Sequence, residues 1–242
     1  MPVRNRRDDR LEEVEIIDLV AEDIEYAGGR RPPPAKLHGQ QAPARRQLTA
    51  PVPFHVRPAG EVRPDQLLSI ARRPDSLSAQ QYRLLRYKLK EGSDPRVIGL
   101  SSPRSGEGKT TAVANLGLAL AEGRRVRIMM LDLNLRSPTL IGMFGLPGSG
   151  SVAAQLQRKR RDPEAYWDVL ELGSRLHIMG GGGPTENPAP LLNSNQLSRL
   201  IYDLAENYDY VVIDLPPVLK VADVKIVQEQ LDGLVLVWYS FS

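Results

Sequence analysis

One stretch constrains the fold more than any other. An apolar run over residues 97–101 leads into a loop carrying Gly106 and Gly108, and Lys109, Thr110 and Thr111 then open a segment whose Val113, Leu116 and Leu120 share one helical face. A strand passing through a glycine-rich loop into a helix is the layout of a phosphate cradle. Glycines let backbone N–H groups close around a phosphate, and the helix N-terminus adds its positive end. A lysine at the loop's end reaches the outer phosphate oxygens, and the next hydroxyl ligates Mg²⁺. In the pattern G-x-x-x-x-G-K-[ST] the first glycine is here Pro103. The candidate phosphate-binding residues are therefore Arg104, Ser105, Gly106, Glu107, Gly108, Lys109, Thr110 and Thr111.

The rest of the chain supplies a frame for that loop. Short β-rich runs at 96–102, 126–131, 210–213 and 234–238 alternate with helical patterns, the clearest over 110–121. Nearly unbroken apolar strands separated by helices imply an α/β fold with a mostly parallel central sheet flanked by helices. Asp132 follows the second of these strands and Asp214 the third, which places both at the carboxyl edge where such sheets bind ligands. With Thr110 they form the candidate Mg²⁺ ligands, since each carboxylate can hold the ion directly or through water.

Composition divides the 242 residues unevenly. Within residues 1–27, Leu11, Val14, Ile17, Leu19, Val20 and Ile24 are spaced as an amphipathic helix among acidic residues, either a marginal helix or a docking helix for a partner. Residues 28–75 interleave prolines with arginines and read as a disordered linker. The nucleotide-binding unit would then occupy 76–242, opened by a helix capped by Ser76 or Ser78. A net charge of +3 gives no ground for nucleic-acid binding. The absence of cysteine excludes a disulfide scaffold, and no apolar run is long enough to span a bilayer, so a cytoplasmic chain is expected. His38, His55 and His177 are too dispersed for a metal site. The basic run Arg158, Lys159, Arg160 and Arg161 reads as a solvated loop, and Gly180 to Gly183 as a flexible turn.

The segment 131–138, with Asp132, Asn134 and Arg136, resembles the second Walker A-type motif of bacterial tyrosine kinases, the P-loop enzymes of capsule and exopolysaccharide synthesis. Residues 208–217 resemble their Walker B strand, and 78–89, 180–192 and 221–223 match further motifs in the family's order. The resemblance implies a P-loop NTPase fold of the MinD/ParA-like kind, with ATP and Mg²⁺ as cofactors. It implies Lys109, Asp132, Asn134 and Asp214 as the catalytic set. It also implies a membrane-embedded polysaccharide co-polymerase as activating partner, recruitment to the inner face of the cell membrane, and assembly of copies of the chain with one another. Arg104 stands where MinD/ParA-like proteins carry a lysine that reaches a partner's nucleotide.

The chain departs from the family's pattern at three places. The second aspartate of the 131–138 motif is Asn134, the motif E-x-x-R-x-x-R reads Gln80, Arg83 and Arg86, and no tyrosine-rich tail follows Trp238. The unit at 76–242 therefore reads as short of a complete family domain at its carboxyl end. Two functions stay open on these residues beside the tyrosine kinase: an ATP-gated regulatory subunit without tyrosine transfer, and a MinD/ParA-type ATPase.

Overall fold

The computed structural model describes residues 54–91, 95–123, 125–148 and 150–238. The amphipathic segment and the linker as far as residue 53 lie outside the described residues. The strands are β1 (Phe54–Pro58), β2 (Val97–Ser101), β3 (Ile128–Asp132), β4 (Trp167–Gly173), β5 (Leu176–Met179), β6 (Tyr210–Asp214) and β7 (Gly233–Leu236). They form one sheet in the order β1-β4-β5-β3-β6-β2-β7, parallel throughout except between β4 and β5.

The helices divide between the two faces, because the central strands are apolar on both. Ile98 and Leu100 of β2, Ile128 and Met130 of β3 and Val212 of β6 pack under α1 (Ser69–Arg72), α2 (Leu77–Glu91) and α3 (Lys109–Ala121). The alternate residues Val97, Met129, Leu131, Val211 and Ile213 pack under α4 (Val152–Arg161), α5 (Ala189–Leu192), α6 (Asn195–Asn207) and α7 (Asp223–Val227). The period-2 switch between faces turns an unbroken apolar run into two cores. Ser76 caps α2, its Oγ accepting from the Ala79 N–H at 3.2 Å.

Part of the segment assigned as linker, 28–75, is folded, with Phe54–Pro58 forming β1 and Ser69–Arg72 forming α1. Phe54, buried, pairs with the fully buried Trp167 as β1 runs parallel to β4. Residues 67–70 are clamped to α3 by Asn115: its Nδ2 donates to the Leu67 carbonyl at 3.0 Å, and its Oδ1 accepts from Ser69 Oγ and the Ile70 N–H, both at 3.1 Å. One fully buried amide thus satisfies a short segment whose Leu68 is also fully buried. The Arg63 and Asp65 N–H groups add bonds of 2.8 Å to the Phe144 and Met143 carbonyls.

A further expectation is corrected. The basic run is no loop but the last turn of α4, where Arg158 bonds Asp168 at 2.8 Å and the buried Lys159 lies over the Trp167 ring. Arg83 and Arg86 are half-buried and engaged within the chain. Both hold Glu122 after α3, Arg83 Nε at 2.9 and 3.0 Å and Arg86 Nη1 at 3.2 Å, and the arginine bonds draw that carboxyl below its usual range. Among the described residues no helix is long and apolar enough to cross a membrane.

Candidate nucleotide site

A cavity of about 610 Å³ opens at the carboxyl ends of the central strands. Its floor is the loop between β2 and α3. Gly106 (φ +86°) and Gly108 (φ +82°) hold the left-handed conformation that turns successive N–H groups inward, and a Cβ on Gly106 would project into open space. Ser105, Gly106, Gly108, Lys109, Thr110 and Thr111 line the cavity. Arg104 and Glu107 do not; they close the loop on itself. The Glu107 carboxylate accepts from the Arg104 N–H at 2.7 Å, and Ser102 Oγ donates to the Arg104 carbonyl at 2.6 Å.

Beneath the floor the sheet register pairs Asp132 directly with Asp214, both fully buried. Their surroundings differ. Thr110 donates its hydroxyl to Asp214 Oδ2 at 2.6 Å, while Asp214 Oδ1 is buried without a hydrogen-bond partner. Asp132 is engaged at both oxygens: Oδ1 accepts from the Asn134 N–H at 3.1 Å, and Oδ2 from the N–H groups of Thr139 and Leu140 at 3.0 and 3.1 Å. Burial raises the pKa of both carboxyls. For Asp132 the charge of Asp214 adds to the rise, and the three N–H bonds oppose it. For Asp214 the opposing influences are the Lys109 ammonium and the Thr110 hydroxyl.

The loop after β3 forms the facing wall. Asn134 lines the cavity, yet its amide is occupied: Nδ2 donates to the Ser137 carbonyl, and the Ser137 N–H returns a bond to the Asn134 carbonyl, both at 2.9 Å. Arg136 reaches across this wall. Its Nε and Nη2 hold the Asp223 carboxylate at 2.9 and 3.3 Å, and Nη1 donates to the Glu186 carbonyl at 3.0 Å. Gly180 to Gly183, expected as a flexible turn, includes the back support of the wall. A Cβ on Gly181 would stand 2.5 Å from Pro138 Cβ and 3.5 Å from Asp132 Cγ, so only glycine lets the two loops meet.

The donor set suits a hard divalent cation bound with a nucleotide. Asp214 Oδ1 is an unused oxygen beside the Thr110 hydroxyl, and the described residues contain no cluster of three or more acidic, histidine or cysteine ligands that could hold an ion alone. Mg²⁺ fits such a place, because it keeps waters and takes its remaining ligands from phosphate oxygens.

No sequence-family model matches the chain. The chain is 34% identical over 167 residues to the tyrosine-protein kinase YwqD of Bacillus subtilis, a match covering 68% of this chain and 69% of that one. This chain belongs to the bacterial tyrosine-protein kinases. A second member, the tyrosine-protein kinase CpsD of Streptococcus agalactiae, is 27% identical over 147 residues, covering 60% of this chain and 63% of its own length. Among solved structures the BceF tyrosine kinase domain superposes with a TM-score of 0.61 at 27% identity, over 76% of this chain and 74% of that one. The α/β fold with a mostly parallel sheet is therefore the P-loop fold of this kinase family. The chain spans about two thirds of the length of these two curated relatives.

For a tyrosine-kinase member, several lining residues carried no sequence signal of their own. Thr139 lies one residue past the 131–138 motif, and its Oγ1 donates to Thr110 Oγ1 at 3.3 Å. Leu67, Met143 and Lys220 also line the cavity. Leu67 was hidden in the proline-rich stretch, and the Asn115 clamp helps hold it at the site. Arg136 lay inside the motif, but its link to Asp223 joins residues 87 positions apart.

Proposed function

We propose that this chain binds ATP with Mg²⁺ and transfers the γ-phosphoryl group to tyrosine hydroxyls, regulating polymerisation and export of an exopolysaccharide or capsule. The observation that carries the proposal is the unpartnered Asp214 Oδ1, poised beside Thr110 at the floor of a glycine-lined cavity. The N–H groups of the 105–108 loop and the Lys109 ammonium would grip the phosphates, and Thr110 with Asp214 would hold the metal. The metal, when bound, neutralises charge on the β- and γ-phosphates. Arg136, anchored by Asp223, would border the transferring group and fix the wall it leans on. Catalysis of this kind is mostly positioning and charge stabilisation, which a set of buried, mutually bonded residues supplies. The likeness to proteins named as tyrosine-protein kinases supports tyrosine as the acceptor. The same family likeness supports a cytoplasmic location at the inner membrane face, a membrane-embedded co-polymerase as activator, and assembly of several copies.

A second reading, an ATP-gated regulator without tyrosine transfer, is favoured by the loop after β3. Neither Asp132 nor Asn134 offers an unengaged carboxylate oxygen to an acceptor hydroxyl, both oxygens of the first already accepting N–H bonds and the second being an amide closed on Ser137. The two readings part in one assay. The purified chain is incubated with labelled ATP, Mg²⁺ and a cytoplasmic fragment of its membrane partner, with Lys109→Met as control. Phosphotyrosine that disappears in Lys109→Met is expected and would exclude the regulator. Nucleotide binding without any phosphotyrosine would exclude the kinase.

A further inference from the structure

We propose that the groove between α4, α5 and α7 is the docking site for residues 11–26 of this same chain. The groove has a volume of about 560 Å³ and is lined by Leu156 and Arg160 of α4, Pro190 and Leu191 of α5, Gln196 of α6 and Ile226 of α7. Leu156 is buried, whereas Leu191 and Ile226 stay partly open to solvent although both pack against the core beneath. Arg160 is exposed where it lines the groove. Arg161 follows it on α4 and Lys225 precedes Ile226 on α7, both exposed as well. Among the described residues none of these three cations has an acidic side chain for a partner. An apolar trough edged by unpaired cations fits a helix that is aliphatic on one face and acidic on the other.

Residues 11–26 have that character. They hold seven carboxylates between Glu12 and Glu25 and neither lysine nor arginine. Val14, Ile17, Val20, Ala21 and Ile24 recur at intervals of three and four, a spacing that gathers them on one face of a helix. A helix of this length is marginal alone in water, so it forms when a surface covers that face.

The fold delivers the segment to the groove. β1 runs parallel to β4 with Phe54 beside Trp167, so the chain enters the sheet at the start of β4. The Lys159 ammonium lies 4.9 Å from the centre of the Trp167 ring, which places the last turn of α4, and Arg160 with it, at that point of entry. Phe54 and Leu156 share one core on the same face of the sheet. Residues 28–53 are the tether, and 26 residues reach about 30 Å as a random coil, enough to bring the segment back onto α4. Tethering gives the segment an effective concentration on the order of millimolar, so a weak contact holds it. A separate acidic helix of equal affinity lacks that advantage, which selects this segment as the occupant.

The chain contains no cysteine, so a pair introduced by substitution reports on this contact alone. The full chain carrying Ala21→Cys and Gln196→Cys is treated with a mild oxidant, and the intrachain disulfide is read as a mobility shift on a denaturing gel. The control chain carries Ala21→Cys and Lys88→Cys, the second on α2 at the opposite face of the sheet. The groove pair is expected to close at least about 10-fold faster than the control pair. Equal rates overturn the docking. A disulfide-linked dimer in place of the intrachain product puts the segment of a second copy in the groove and overturns the tethered contact. Arg160→Glu with Arg161→Glu should slow closure to the control rate, and adding Asp18→Lys and Glu22→Lys should restore it, a recovery that a misfolded groove would not allow. A rate untouched by the reversal overturns the charge pairing and the choice of this segment with it. No nucleotide enters the experiment, so its outcome is independent of the phosphotransfer proposed above.

Discussion

The loop between β2 and α3 and the loop after β3 face each other across one cavity and are built on opposite plans. The first is held by contacts in its own outer rim, Glu107 to Arg104 and Ser102 to Arg104, and leaves its glycine N–H groups and the Lys109 ammonium directed at a ligand. The second spends its polar groups on itself: Asp132 accepts three N–H bonds, and Asn134 and Ser137 bond to each other twice. One loop is preorganised to bind, the other to hold its shape. Asp214 belongs to the strand between them and sides with the first, since only it keeps a buried oxygen unused. A buried, unsatisfied carboxylate is costly to the folded protein, and such groups persist where a ligand satisfies them.

The sharpest way to break that comparison is Asp214→Asn. The amide can still accept from Thr110, so the fold survives, but the charge that would hold the metal is gone. Mg²⁺-dependent nucleotide affinity, measured by calorimetric titration, should fall by at least about 10–100-fold. Metal-free stability should move the other way at neutral pH. In the folded chain Asp132 and Asp214 keep their protons above the ordinary aspartate value because burial disfavours the charged form. Between the unfolded and the raised folded values the native state binds more protons than the unfolded one. Their contribution is therefore fully present below the unfolded pKa and is lost as pH rises through the folded values. Denaturant midpoints of the metal-free protein should fall over that window, and less steeply in Asp214→Asn. An unchanged affinity together with an unchanged pH slope would remove Asp214 from the site.

How much of this was legible in the sequence depends on whether the signal was local. The cradle, the two acids and four of the seven strands announced themselves through periodicity and spacing that neighbouring residues carry between them. The 54–72 segment did not. Its prolines and arginines outweigh a few buried side chains, and what anchors it is Asn115, more than forty residues away, satisfying three of its backbone or hydroxyl groups. The glycines after β5 misled for a different reason. A glycine run has the same composition whether it is free to move or pressed against Pro138, and only the packing distinguishes the cases. The Glu122 pairing of Arg83 and Arg86 was not legible, because an arginine's partner can lie anywhere in the fold.

The glycine support gives the second test, smaller than the loss of a metal ligand. Gly181→Ala drives a Cβ into Pro138, and with no room behind it the 137–139 turn must shift, carrying the Thr139 N–H away from Asp132. The expected cost is about 1–3 kcal/mol in denaturant unfolding, the range for overpacking a close contact. Nucleotide affinity should decline alongside it. Gly183→Ala is the matched control, since a Cβ there meets nothing within 4 Å. Equal stability for the two variants would show that the second loop is not shaped from behind, and the contrast between the loops would weaken.

The smallest expected effect bears most directly on what the second loop is for. Asn134→Asp restores the aspartate that the family's motif carries at this position, and sequence logic alone would predict a gain of activity. The structure predicts otherwise. Asn134 donates to the Ser137 carbonyl, a bond that a carboxylate cannot make, and the new charge would face that carbonyl near the two acids already buried there. Loss of the hydrogen bond should cost about 1 kcal/mol in unfolding free energy, with no rise in phosphotransfer. If phosphotransfer rises instead, the loop can release its own contacts in favour of an acceptor hydroxyl, and its self-closure is a resting state and not a fixed property. The two loops would then differ only in the metal-free protein, and the comparison would become one between states of a single site.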